Sequence, residues 1–120
     1  MNSVELSLQE EIYILHNRIR KEYNLPPFKK SEELEQKAIK HSVTMASYEK
    51  LFHSDYKKAE NVGCIPATQD DEHLWSMKMM EGWKRSEHFL NITNSKLTVI
   101  GVGVALDSYG NPWFTVIFDR

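Results

Sequence analysis

The sequence predicts an α+β domain in which helices layer on an antiparallel hairpin. Three observations carry that expectation. Apolar residues recur at helical spacing in three segments of the first three quarters of the chain. The stretch LTVIGVGVAL, residues 97–106, then alternates side chains between two faces as a strand does. The cluster Asp107-Ser108-Tyr109-Gly110-Asn111 reads as a turn into a returning strand over residues 113–118. At 120 residues the chain is expected to form one domain, spanning 1–120, with a core that needs no staples.

The first helix is expected over residues 5–23, with Leu8, Ile12, Leu15 and Ile19 as its apolar stripe. Pro26 and Pro27 end it, and Phe28 anchors the connection in the core. His16 and Asn17 lie off the stripe and are expected to cap or brace a neighbouring loop. Ser31 reads as an N-cap, with Glu32, Glu33 and Glu35 at the positive end of a second helix running to Tyr48. Its stripe is Leu34, Ala38, His41, Met45 and Tyr48, which makes His41 a hydrogen-bonded core or rim histidine rather than a ligand.

Residues 50–69 have no clear period and read as a long connection, with a short extended piece between Ala59 and Ile65. Asp70, Asp71 and Glu72 open a third helix whose stripe is Trp75, Met79 and Trp83, a core pattern rather than a cofactor box. Residues 86–93 form a short helical turn that presents His88. In the strand that follows, Ile100, Val102, Val104 and Leu106 share one face. Val99, Gly101, Gly103 and Ala105 share the other, so something packs tightly against that small-residue side.

The bulk numbers exclude some functions. Net charge is −2 without a basic block, which argues against binding nucleic acid through its phosphates. No apolar run is long enough for a transmembrane helix, and the first residues lack the pattern of a signal peptide. Cys64 is the single cysteine and makes no internal disulfide; a small buried side chain or a free thiol is expected. Asn91-Ile92-Thr93 fits a glycosylation pattern, but Asn91 is read as a turn or helix-end residue.

Chemistry is expected in FHSDYKKAENV, residues 52–62. His53 and Ser54 stand seven residues before Glu60 and Asn61, and His88 is a third candidate. Two imidazoles and a carboxylate make a divalent-metal site or an acid–base site if they converge. Ser54 is expected to cap the loop, because neighbours on an extended chain point to opposite faces and a direct Ser–His pair is disfavoured. The bland alternative is a His53–Glu60 bond that pins the loop, with Asn61 satisfying loop backbone groups.

The strings LHNRIRKEYNLPPF, His53-Ser54, AENV at 59–62, Trp83…Ser86…His88…Asn91-Ile92 and IGVGVA at 100–105 occur in a telling order. Together they resemble the CAP superfamily of cysteine-rich secretory, antigen-five and pathogenesis-related proteins, and above all its short, cysteine-poor microbial SCP-like branch. The resemblance implies an α–β–α sandwich with an antiparallel sheet between helical layers. It also implies a cleft lined by two histidines and acidic residues, which by motif are His53, His88 and Glu60. Where better-known branches carry a further glutamate this chain has Ser86. It reads Ser86-Glu87-His88 where microbial relatives read Ser-Pro-Gly-His, which offers Glu87 as a partial replacement for the missing acid.

The preferred reading is therefore a binding domain. Its cleft takes a Zn-like divalent cation on His53 and His88, or a small ligand that also meets Glu60, Ser54, Ser86 and Glu87. The alternatives are a metal-dependent hydrolase or peptidase with Glu60 as base, and an interaction module with a structural polar cleft. The resemblance implies an extracellular location, against a cytoplasmic one if the sequence is complete. It allows a small-molecule, lipid or protein partner, and a monomer is expected.

Overall fold

The computed structural model describes residues 1–68 and 71–120, so Asp70 lies outside the described residues. Helix α1 spans Ser3–Glu22. It starts earlier than its apolar stripe because Asn2 and Glu5 form a capping box, each side chain accepting the other's backbone N–H at 2.8 Å. Past the helix, Asn17 clamps Phe28 on both sides. Its Oδ1 accepts Phe28 N–H at 2.7 Å and its Nδ2 donates to Phe28 O at 3.3 Å, the bracing role expected of it. The chain then adds two residues of strand, β1 (Lys29–Lys30), and enters α2 (Glu32–Tyr48) with Ser31 as its N-cap.

Strand β2 (Ala59–Cys64) follows the polar connection. A 3₁₀ turn at Glu72–Leu74, capped by Asp71, leads into α3 (Trp75–Lys84). The four-residue α4 (Phe89–Ile92) precedes β3 (Val99–Leu106) and β4 (Pro112–Asp119). Strand order is β1-β3-β4-β2. The three long strands are antiparallel as expected, with Val102 opposite Val116 and Asn61 opposite Val116 on its other side. Only the β1 edge is parallel, because Lys29 and Lys30 run beside Val99 and Ile100.

The sheet is the middle layer. One face of β3 and β4 (Ile100, Val102, Val104, Phe114, Val116, Phe118) packs with α1, α3 and Ile92 of α4. The other face meets α2 through Leu34, Ala38 and Met45 against Ile117, Ala105 and Trp113. Gly101 and Gly103 let α2 approach this closely: a Cβ at either position would collide with backbone atoms of Leu34–Glu35 or Ala38–Ile39. At this contact Ser42 Oγ donates to Gly103 O at 2.9 Å and lies 2.7 Å from Thr115 Oγ1, so the buried hydroxyls satisfy one another. The expectation that Tyr48 joins the α2 stripe is corrected. It is the last helical residue, 73% exposed, where the helix has run past the sheet.

Beyond β1, α1 covers the open side of β3. Tyr13 Oη accepts Val102 N–H at 3.0 Å and donates to Glu35 Oε1 at 2.8 Å, while Glu5 Oε2 accepts Leu106 N–H at 2.8 Å. Burial, then the bond to Glu35, drives the Tyr13 hydroxyl above its ordinary pKa, so it stays a donor. Cys64 is a free thiol, and burial beside Asp107 pushes its pKa up to about 11.

His16 is likewise corrected: it braces no loop but sits in the core with no solvent exposure. Its rings' nearest neighbours are Phe28, Trp83 and Phe118, at 5.8 to 6.2 Å between centroids. Nδ1 lies 2.8 Å from Ile12 O and so carries the proton; Nε2 is buried without a partner among the described residues. Burial pushes its pKa down to about 4, against the opposing bond to Ile12. The unfolded chain, with a histidine near its ordinary value, binds the extra proton between these pH values. This contribution to stability is therefore complete above about pH 6.5 and is lost as pH falls towards 4. Urea unfolding at pH 7 and pH 4.5 should differ by about 2–3 kcal/mol through this group. His16→Met should flatten that part of the profile, and an unchanged profile would refute the assignment.

Candidate functional site

Strand β2 is an edge strand, so the two helical layers meet across it, and its alternation sends adjacent side chains to different layers. Glu60 turns to the connection that follows α2. Its Oε1 accepts His53 Nδ1–H at 2.8 Å and Ser54 N–H at 2.9 Å, and its Oε2 accepts the Ser54 hydroxyl at 2.5 Å. Asn61 turns to α4. Its Nδ2 donates to His88 O at 3.1 Å, and its Oδ1 accepts Asn91 Nδ2–H at 2.9 Å. One dipeptide thus holds one histidine by the ring and the other by the backbone.

His53 and Ser54 meet through Glu60 and make no direct bond to each other among the described residues, and the Ser54 hydroxyl accepts Tyr56 N–H at 3.4 Å, the loop-capping role expected of it. Residues 51–58 are not a strand, and Lys57 adopts a left-handed φ of 59°, so the chain curls around the carboxylate and both side chains reach Glu60. The Glu60 side chain is 4% exposed and the His53 side chain 59%. A buried acceptor therefore steers an exposed ring.

On the α4 side, Ser86 Oγ lies 2.6 Å from His88 Nδ1 and 3.2 Å from Trp83 O. A carbonyl only accepts, so with the hydroxyl proton given to Trp83 O, His88 Nδ1 carries the proton and donates to Ser86. Both imidazoles then have Nδ1 occupied and Nε2 without a partner among the described residues. His53, Glu60, Glu87, His88, Leu90 and Asn91 wall one open hollow of about 270 Å³. The structure thus brings together His53, Glu60, Glu87 and His88. Ser54 and Ser86 stand behind the rings as supports instead of lining the hollow. Leu90, 70% exposed, supplies an apolar wall that its sequence position did not announce.

A profile of the Cysteine-rich secretory protein family, CAP, matches residues 13–118. The chain belongs to the CAP family. Solved structures with the CAP fold agree over nearly the whole chain. An extracellular protein containing a SCP domain from Bacillus anthracis matches with TM-score 0.69 and 21% identity, over 96% of this chain and 41% of that one. An outer surface protein of Borrelia burgdorferi matches with TM-score 0.70 and 18% identity, over 93% of this chain and 91% of that one. A cysteine-rich secretory protein from Staphylococcus aureus matches with TM-score 0.68 and 20% identity, over 95% of this chain and 39% of that one. This CAP domain therefore spans about two fifths of the Bacillus and Staphylococcus chains. A search of curated proteins finds no match.

The donor set of this CAP domain limits what metal it suits. No group of three or more His, Cys, Asp or Glu side chains is arranged to hold a metal ion among the described residues. What fits is a two-imidazole site: each ring is held through Nδ1 by an oxygen partner and offers Nε2, and the remaining positions would go to water. Glu60 already accepts three hydrogen bonds of the roughly four a carboxylate takes, so it suits orienting His53 better than ligating.

Proposed function

We propose that this CAP domain is a binding module whose edge hollow presents His53 and His88 to a Zn-like divalent cation or a small polar ligand. The observation that supports this reading is the common tethering of the two rings at one hollow. Both are tethered at Nδ1, and both wall the same hollow. Bound there, a zinc-like ion would supply a Lewis acid with open positions. His53 and His88 would donate the nitrogens, Glu60 and Ser86 would fix tautomer and direction, and Glu87 would lend negative charge at the mouth. The hydrolase alternative needs a base free to take a proton from water, and the three bonds that converge on Glu60 favour a supporting role. We place the protein's working site outside the cell, on the support of the extracellular and outer-surface relatives named above.

Zn²⁺ titration by calorimetry tests the reading. Wild type should bind one ion weakly and His53→Ala/His88→Ala should bind none; equal heats from the two proteins would overturn it. Glu60→Gln should bind about 10- to 100-fold more weakly, the usual cost of removing the partner that orients a histidine ligand.

A further inference from the structure

A second hollow, of about 420 Å³, lies between α2 and the connection that follows it and is also walled by His53 and Ser54. Its floor is His41. That residue is 5% exposed, and its Nε2 lies 2.7 Å from the carbonyl oxygen of Phe52. A carbonyl oxygen only accepts, so Nε2 carries the proton and the neutral ring has a bare Nδ1. The Phe52 ring meets the imidazole edge-to-face at 5.0 Å and fixes its plane. Nδ1 has no partner among the described residues, yet it is not one of the sealed orphan atoms of the core. A nearly buried residue that lines the hollow thus keeps an acceptor without a partner among the described residues.

Around it stand groups of complementary kind. Lys40, one residue before His41 on α2, is exposed and makes no ion pair among the described residues. Thr44, one turn on, donates its hydroxyl proton to Lys40 O and so keeps its lone pairs for a ligand. Tyr56 walls the hollow with its ring against Lys37 Nζ at 5.5 Å, and its hydroxyl has no partner among the described residues. Asp55 is an exposed carboxylate in the same lining and repels an anion, so negative charge belongs at Lys40.

We propose that this hollow is a ligand subsite for a hydroxy-carboxylate, a small hydroxy acid or the acid end of a sugar acid, which neighbours the cation site and shares His53 as a wall. The carboxylate pairs with the Lys40 ammonium and the Tyr56 hydroxyl, and the adjacent hydroxyl donates to His41 Nδ1. A bare carboxylate leaves the imidazole unanswered, and a neutral polyol leaves the lysine so. The class is set by having both groups on neighbouring atoms.

The test is a titration of the ¹⁵N-labelled chain with lactate and with glucuronate, and with acetate and glucose as controls. Saturable shifts are expected at Lys40, Thr44 and Tyr56 and in the His41 ring, with acetate and glucose at least tenfold weaker. Lys40→Gln, an exposed change that leaves the core intact, should weaken lactate and glucuronate at least tenfold. Zn²⁺-induced shifts at His88 should be unaffected by that change. Absence of saturable shifts, equal binding of acetate, equal affinity in Lys40→Gln, or shifts centred on His88 would each overturn the proposal.

Discussion

Gly103→Ala is expected to abolish the native fold at ordinary temperature. The added methyl would point from β3 into α2 and collide with the Ala38 carbonyl group and the Ile39 nitrogen. These are backbone atoms in the middle of a regular helix, with no rotamer to turn away. Relief requires lifting α2 from the sheet. That move would break the Ser42 bonds to Gly103 and Thr115 and open the contacts of Leu34, Ala38 and Met45. Overpacking a core by a methylene or two costs about 1–3 kcal/mol where side chains can yield, and the collision here is with backbone. A domain of this kind has only about 5–15 kcal/mol in total. The change should convert cooperative melting into a broad or absent transition by circular dichroism. Gly82→Ala is the control. It lies on the exposed side of α3, where a methyl meets only Met79 Cε at 3.8 Å, and it should stabilise by up to about 1 kcal/mol. Melting of Gly103→Ala within a few degrees of wild type would refute the close-packing argument.

Arg20→Met should cost about 3–5 kcal/mol, read as a lower urea midpoint with an unchanged slope. Arg20 is 1% exposed and meets no carboxylate among the described residues; its charge is answered by four carbonyls. Nε donates to Pro26 O at 3.0 Å, Nη1 to Ile92 O at 3.2 Å and Asn94 O at 2.9 Å, and Nη2 to Leu97 O at 3.1 Å. The guanidinium also stacks on the Phe28 ring, 4.0 Å from its centroid. Methionine keeps most of the volume and leaves these acceptors without their donor, which is the costly half of a buried hydrogen bond. Lysine should not rescue, since one ammonium cannot span a fork of four acceptors. Arg20 ties the end of α4 to α1, and α4 follows directly on His88. The variant should therefore also weaken whatever binds at His53 and His88, at a distance from both. A loss below about 1 kcal/mol would show that the acceptors find other partners.

The elements that read well from sequence are those whose period is answered by one flat neighbour. β3 is the clearest. Its large side chains meet α1 and α3, its small ones meet α2, and the Gly-x-Gly spacing predicted a close approach before α2 was known to make it. Ser31 and Phe28 read well for the same reason, since a cap and an anchor act on their nearest neighbours. α1 was read too narrowly. It faces the sheet, α3 and α4 at once, so its buried arc takes in Gln9, Tyr13, His16 and Arg20 as well as the leucine and isoleucine stripe. Polar side chains on that arc look solvent-facing until the third neighbour is in place. In the site, the residue types were legible and their convergence was not. His53 and His88 meet because β2 lies at the edge of the sheet, a fact of strand order that no local pattern carries. The curl that brings Ser54 onto Glu60 lies in a connection without a period, where nothing local signals the turn of the backbone.

The α1 side chains that answer Val102 and Leu106 bear on where this domain can be cut. A fragment trimmed to residues 13–118, the limits of the family profile, keeps Tyr13 and discards Glu5. Its β3 would offer the bare Leu106 amide beside an apolar surface stripped of the first turns of α1, a template for joining a second molecule. Such a fragment should form higher-order species during size-exclusion chromatography, and expression work is better served by starting at or before Asn2.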